Sequence, residues 1–82
     1  SLDGASLRRA NLKSTNFYRS SLTATDLSMA GARRASFRQA DLSGANLAGA
    51  DLTDSDFSEA RLAGADLRGA TIQGADLTLS TQ

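Results

Sequence analysis

The sequence predicts a solenoid, a chain that turns a corner every five residues and presents the same position inward each time. Three observations predict it. A five-residue ruler laid from Leu2 lands on Leu2, Leu7, Leu12, Phe17, Leu22, Leu27, Ala32, Phe37, Leu42, Leu47, Leu52, Phe57, Leu62, Leu67, Ile72 and Leu77, and only Ala32 among them is small. A small residue precedes each centre from Leu7 onward by two places, Ala at most of them and Thr15, Ser20, Thr25 or Ser55 at the rest. Turn-forming residues fill the remaining places: Asn11, Asp26, Asp41, Asn46, Asp51, Asp66 and Asp76 stand just before a centre, and Gly4, Gly44, Gly49, Gly64, Gly69 and Gly74 stand two after one.

Neither regular element accepts this period. Five steps along a helix rotate by roughly 140°, which scatters the centres around the whole cylinder. On a strand, steps of five alternate between the two faces, so every second centre would point to solvent. The fifteen large centres are therefore the expected core of a chain of corners. Outside the ruler the only large apolar or aromatic residues are Tyr18, Met29 and Leu79, and the register never slips.

Size explains why repetition is needed. The chain has 82 residues, room for one domain over 1–82, and neither Cys nor His. Small domains commonly lean on disulfides or metals, and both a disulfide and a Cys/His zinc site are excluded here. A repeat supplies the alternative, because each unit buries its neighbour's apolar face. No apolar run approaches membrane-spanning length, and no charged start followed by an apolar stretch resembles a signal peptide. Nothing marks a compartment, and the cytoplasm is the default expectation.

The units Ala40-Asp41-Leu42-Ser43-Gly44, Ala45-Asn46-Leu47-Ala48-Gly49 and Ala65-Asp66-Leu67-Arg68-Gly69 carry an A-(D/N)-L-x-x signature. By it, the chain resembles the pentapeptide-repeat family over essentially its whole length. The resemblance implies an all-β fold, a right-handed quadrilateral β-helix with 20 residues per coil and about four coils in this chain. Phe17, Phe37 and Phe57, spaced 20 apart, then stack on one side and Leu77 ends their column. Ala32 falls in the column of Leu12, Leu52 and Ile72, where a local gap or compensating shift is expected. Arg61 breaks the pattern of polar, turn-forming residues before the centre.

The chain lacks the usual nucleophile–base pairs, which draw on Cys or His. The Asp residues before the centres recur with the repeat, and corner hydrogen bonding accounts for them. Asp54, Asp56 and Glu59 form the densest acidic cluster, a solvated face or acidic partner surface. No enzyme activity, no cofactor and no metal is expected.

Charge is the informative surface feature. Net charge is zero, yet residues 1–40 hold Arg8, Arg9, Lys13, Arg19, Arg33, Arg34 and Arg38 against Asp3 and Asp26, whereas residues 41–82 hold Arg61 and Arg68 against Asp41, Asp51, Asp54, Asp56, Glu59, Asp66 and Asp76. In a solenoid sequence order is axial order, so a positive N-terminal and a negative C-terminal half are expected. Lys13, Arg19, Arg33, Arg34 and Arg38 form the candidate basic partner surface, with Tyr18 among them.

The expected role is a non-catalytic protein-binding or scaffolding module whose protein partner is unidentified. Nucleic acid is not an expected partner. Terminal coils expose unpaired edges, and no capping helix is visible, so self-association through the ends is expected, with Leu79 a candidate end contact. The resemblance agrees, since several family members dimerise through C-terminal coils. It also implies two alternatives: DNA mimicry directed at DNA gyrase or another type II topoisomerase, and a repeat domain of a larger effector or membrane-associated protein, of which these residues are a fragment.

Overall fold

Every five-residue unit builds the same turn. The C=O of each centre accepts a hydrogen bond from the N–H three residues on, as from Ala5 to Leu2 and from Ala45 to Leu42, both at 2.9 Å. The residue two after the centre has φ between +55° and +73° at all sixteen positions, and no other residue has positive φ. A hydrogen-bonded turn with positive φ only at its third residue is a type II turn.

A computed structural model describes all 82 residues. Its turns lie in stacked layers. Sixteen of the 53 backbone hydrogen bonds close the turns, and all the others run between layers. The N–H of each centre and of the residue two after it donate forward, as Leu7 to Asp26 at 2.7 Å and Arg9 to Ser28 at 3.0 Å. The N–H before each centre donates back, as Asp26 to Ala5 at 2.9 Å. Single parallel bridges follow the same step, running Ser6 to Asp26 to Asn46 to Asp66 on one column and Asn11 to Gly31 to Asp51 to Thr71 on the next. Each bridge joins residues 20 apart, so the layers are residues 1–20, 21–40, 41–60 and 61–82. The body measures 26 × 22 × 22 Å.

The expectation of an all-β, right-handed quadrilateral β-helix is overturned. The chain contains no β-strand, no sheet and no helix; each bridge is isolated. The repeat length explains this. Two residues of every five form the middle of a turn, and a third is the small residue closing it. Only the residue before the centre is left in a bridging conformation, and one residue does not extend into a strand.

The core fills the middle layers. Leu22, Leu27, Phe37, Leu42, Leu47, Leu52 and Phe57 are fully buried, with Leu12, Phe17 and Leu62 nearly so. Phe17 and Phe37 stack at 5.1 Å between ring centroids, and Phe37 and Phe57 at 4.7 Å, their planes within 11° of parallel. Those distances match the spacing of about 4.8 Å that bridged backbones impose. The small residues are as buried as the centres: Ala30, Ala35, Ala40, Ala45, Ala50 and Ala60 have no room beside them. Thr25 and Ser55 replace Ala there, and each buried hydroxyl is satisfied by a carbonyl, of Leu2 at 2.8 Å and of Leu52 at 2.6 Å. No cavity opens beside Ala32, itself buried; the one depression in the molecule lies at the C-terminal end.

Candidate functional site

The carboxylates before the centres are committed to the backbone. Asp26, Asp41, Asp51, Asp56, Asp66 and Asp76 each accept from the N–H two residues on, at 2.9–3.1 Å. Asn11, Asn16 and Asn46 do the same through their amide oxygens. This Asx bond orients the turn that follows. Hydroxyls add a second donor: Ser28 to Asp26 and Ser43 to Asp41 at 2.6 Å, Thr53 to Asp51 and Thr78 to Asp76 at 2.5 Å. These hydroxyls, helped by the same N–H groups, hold the four carboxyls below the usual carboxylate range. Asp66 is held down to about 2, chiefly by the Arg68 guanidinium, which binds it through Nε and Nη2.

The five basic candidates sit on two neighbouring columns of turns. Lys13, Arg33 and Arg34 follow Leu12 and Ala32; Arg19 and Arg38 follow Phe17 and Phe37. Lys13, Arg34 and Arg38 have no side-chain hydrogen bond or ion pair. Arg33 reaches Asp51 at 3.9 Å with both groups well exposed, a pairing of little energetic weight. Arg19 is more constrained. Its guanidinium lies 5.6 Å from the Tyr18 ring centroid, and its Nε donates to Gln39, whose amide donates to Glu59 at 3.0 Å. Arg19, Gln39 and Glu59 thus form a ladder up one corner through three layers.

The acidic candidates are not brought together as a site. Asp54 belongs to the Leu52 turn and Glu59 to the Phe57 turn, where Gln39 engages it, while Asp56 is spent on the N–H of Ser58. No group of acidic side chains is arranged to hold a metal ion. By layers, the charge is sharper than a two-half division suggests. Arg8, Arg9, Lys13 and Arg19 against Asp3 give the first layer +3, and Arg33, Arg34 and Arg38 against Asp26 give the second +2. Asp41, Asp51, Asp54, Asp56 and Glu59 give the third −5, while Arg61, Arg68, Asp66 and Asp76 cancel in the fourth. The negative charge is a belt around the third layer, not a cap on the end.

Not every predicted core centre is enclosed. Leu2, Ile72 and Leu77 are 38%, 49% and 36% exposed, and Leu7 and Leu67 are partly buried. All five lie in the first or last layer, which has a neighbour on one side only. At the C-terminal end Leu52, Phe57, Leu62, Leu67, Ile72 and Leu77 line an apolar depression. Leu79 is 76% exposed at the corner of that layer.

The sequence leaves the ten non-glycine residues with positive φ unmarked: Arg9, Ser14, Arg19, Ala24, Met29, Arg34, Gln39, Asp54, Glu59 and Leu79. Their signal was positional. They share the register of the six glycines, and the left-handed conformation belongs to the register.

The family model for pentapeptide repeats matches in eight copies, over residues 1–28, 20–58, 33–69 and 45–81. Among solved structures, the chain is similar to the pentapeptide repeat protein Rfr23 of the cyanobacterium Cyanothece 51142, at 30% identity and a TM-score of 0.96, over 96% of this chain and 54% of that one. It is 36% identical to HetL of Nostoc sp. strain PCC 7120, a pentapeptide repeat protein involved in regulating heterocyst differentiation, with a TM-score of 0.73 over 96% of this chain and 39% of that one. A pentapeptide repeat protein of the Arabidopsis thaliana thylakoid lumen is 31% identical, with a TM-score of 0.82 over 98% of this chain and 59% of that one. The chain therefore spans about half the length of the solved structures it resembles. No curated protein matches it.

Proposed function

This chain belongs to the pentapeptide-repeat family, and we propose that it is a binding module whose cationic columns dock an acidic protein surface. This reading is non-catalytic: the chain has no Cys or His, and its recurrent carboxylates are tied into turns. No helix is long and apolar enough to cross a membrane.

The observation that carries the proposal is the state of the basic side chains. Lys13, Arg34 and Arg38 stand on a regular frame with no side-chain hydrogen bond or ion pair, in two layers that together hold +5. Unpaired cations on fixed backbone give complementarity and orientation to an acidic partner. Tyr18, half exposed and flanked by Arg19, supplies an aromatic of the kind that anchors protein interfaces. HetL's involvement in regulation accords with a role exercised through binding.

DNA mimicry has no comparable support. It calls for a strongly acidic rod, and this surface is basic over its first two layers.

A photo-reactive phenylalanine analogue at position 18 tests the proposal in cells. The expected result is a discrete protein adduct that resists nuclease and disappears in the Arg33→Glu/Arg34→Glu variant. An adduct consumed by nuclease, or one indifferent to those charge reversals, would sink it.

A further inference from the structure

We propose that the side of the molecule between the Ala32 and Phe37 turns is a self-complementary face, on which a second copy of the chain docks side by side and pointing the opposite way. This rests on the reading of the basic columns as a docking surface, and it names the acidic surface they meet.

Two rows of opposite charge lie on this side, both in the middle layers, which are covered above and below. In the second layer it carries Arg33, Arg34 and Arg38, all exposed. The step between layers, marked by the bridge from Ser36 to Asp56, sets Asp54, Asp56 and Glu59 over them in the third layer. The basic row is thus about 4.8 Å from the acidic one. Arg34, Arg38, Asp54, Asp56 and Glu59 enter no ion pair within the chain. Asp56 accepts only from the Ser58 N–H and Glu59 only from the Gln39 amide. The left-handed corners single out the same side. Those that bound it in these two layers hold Arg34, Gln39, Asp54 and Glu59, whereas the others hold Ala24, Met29, Gly44 and Gly49. Strained side chains gathered in one place point to function, since the fold accepts glycine at the same register. Behind this side Phe17, Phe37 and Phe57 stack with planes within 11° of parallel, so successive layers barely rotate and the face is flat.

The pattern of signs selects the occupant. A uniformly acidic partner drawn to the basic row would be repelled by the acidic row beside it, inside the screening length of about 8–10 Å at moderate salt. The face fits a surface that carries the same two rows in reversed order. A second copy, turned about a two-fold axis lying across the face between the rows, presents that surface. The axis sets each column opposite itself and the second layer opposite the third. Arg34 then meets the partner's Asp54 and Arg38 meets the partner's Glu59, and each contact is made twice. A copy pointing the same way would set arginine against arginine. The antiparallel contact is isologous and closes at a dimer. The body measures 26 × 22 × 22 Å, so one side falls short of the roughly 800 Å² per partner of a standard interface. The dimer is therefore weak and salt-sensitive, with its direction set by charge.

Charge reversal tests this in the 82-residue chain. By sedimentation equilibrium the mass of the parent should rise with concentration, level at a dimer and fall in high salt. Arg34→Glu/Arg38→Glu and Asp54→Arg/Glu59→Arg should each weaken self-association more than about tenfold, because each brings like charges together across the axis. The chain carrying all four changes, in which the two rows exchange signs, should dimerise as the parent does. Arg8→Glu/Arg9→Glu alters net charge by the same amount away from this face and should leave the dimer intact. Circular dichroism and melting establish that each variant is folded. Should a reversal unfold the chain, Arg34→Gln/Arg38→Gln, which introduces no opposite charge, must still weaken the dimer. A parent that is monomeric at every concentration, association that a folded single-row reversal leaves unchanged, or failure of the four-fold variant to dimerise would each overturn the proposal. Were the parent monomeric, a charge-dependent adduct at position 18 would keep the docking reading and assign the basic columns to a different protein; without that adduct both readings fall.

Discussion

The two halves of this molecule share one backbone and differ in what they place at its most demanding position. In residues 1–40 the left-handed place two after each centre holds Gly4 and then seven side chains, from Arg9 to Gln39. In residues 41–82 it holds five glycines and only Asp54, Glu59 and Leu79. A side chain in that conformation costs about 1–2 kcal/mol, so the N-terminal half carries the greater strain. It also carries the unpaired cations, and three of the strained residues, Arg9, Arg19 and Arg34, are among its positive charges. The layers accept this because the interior and the hydrogen bonds between layers are the same in both halves. Frame and surface are separable: the centres and their small neighbours hold the fold, and the left-handed corners are free to carry side chains wherever a partner is to be met.

The largest effects should be blind to the difference between halves. Leu27 and Leu47 occupy one column and are both fully buried. Truncation of either to Ala should cost about 2–5 kcal/mol, as for other buried leucines. Leu42→Asp or Leu47→Asp should abolish folding, because a carboxylate would lie among apolar side chains with no partner. Thermal melting decides both points. A Leu27→Ala variant much more stable than Leu47→Ala would show that the halves are not one cooperative unit. Ala45→Leu should cost about 1–3 kcal/mol by overpacking, since Ala45 has no exposed surface.

These interior effects are the part of the molecule legible in its sequence. The period of five, the inward centres and the turn role of the Asp residues all follow from residue types repeating in register. What was not legible had no residue type to mark it. Ten of the sixteen corners of one conformation are invisible when only Gly4, Gly44, Gly49, Gly64, Gly69 and Gly74 advertise positive φ. The absence of strands follows from how many residues a turn consumes, which a hydrophobic pattern does not count. The acidic belt was hidden by summing charge over halves when the structural unit is a layer. Asp54 and Glu59 are near in sequence but stand on different columns, because five residues carry the chain around a corner.

Intermediate effects should separate the halves. Arg34→Gly removes a strained corner that makes no side-chain bond. Relief of strain exceeds the added entropy of an unfolded glycine, and the expected gain is about 0.5–1 kcal/mol, a rise in Tm of a few degrees for a domain this size. The converse, Gly44→Ala, should lose a similar amount, since its new Cβ meets only the Ala24 backbone nitrogen at 3.9 Å. Gly49→Ala should lose more, because its Cβ would run into the Met29 sulfur. If Arg34→Gly lowered Tm, the arginine would be contributing to the fold and the separation of frame from surface would fail at that corner.

The smallest effects concern acid. The carboxyls of Asp3 and Asp26 in the first half, and of Asp41, Asp51, Asp66 and Asp76 in the second, are held below the ordinary value of 3.8 by hydroxyl and N–H donors or, for Asp66, by Arg68. A depressed carboxylate adds stability that is fully present above its unfolded value and is lost as pH falls through its folded one. The window therefore opens near pH 4 and, for Asp66, extends to about 2. Asn serves as the same acceptor at Asn11, Asn16 and Asn46, so Asp→Asn at Asp26, Asp41, Asp51, Asp66 and Asp76 keeps the turn and removes the titration; at Asp3, which accepts from Ser21 and the Thr23 N–H of the next layer, Asn removes the titration and keeps an acceptor between layers. Replacing the four second-half residues should flatten the dependence of the urea midpoint on pH below 4 about twice as much as replacing Asp3 and Asp26, with little change at pH 7. Equal flattening by the two sets would mean that acid sensitivity is spread evenly along the stack. The predicted imbalance would place it in the half whose corners are mostly glycine, where the Asx bonds and not the corner side chains hold the turns in shape.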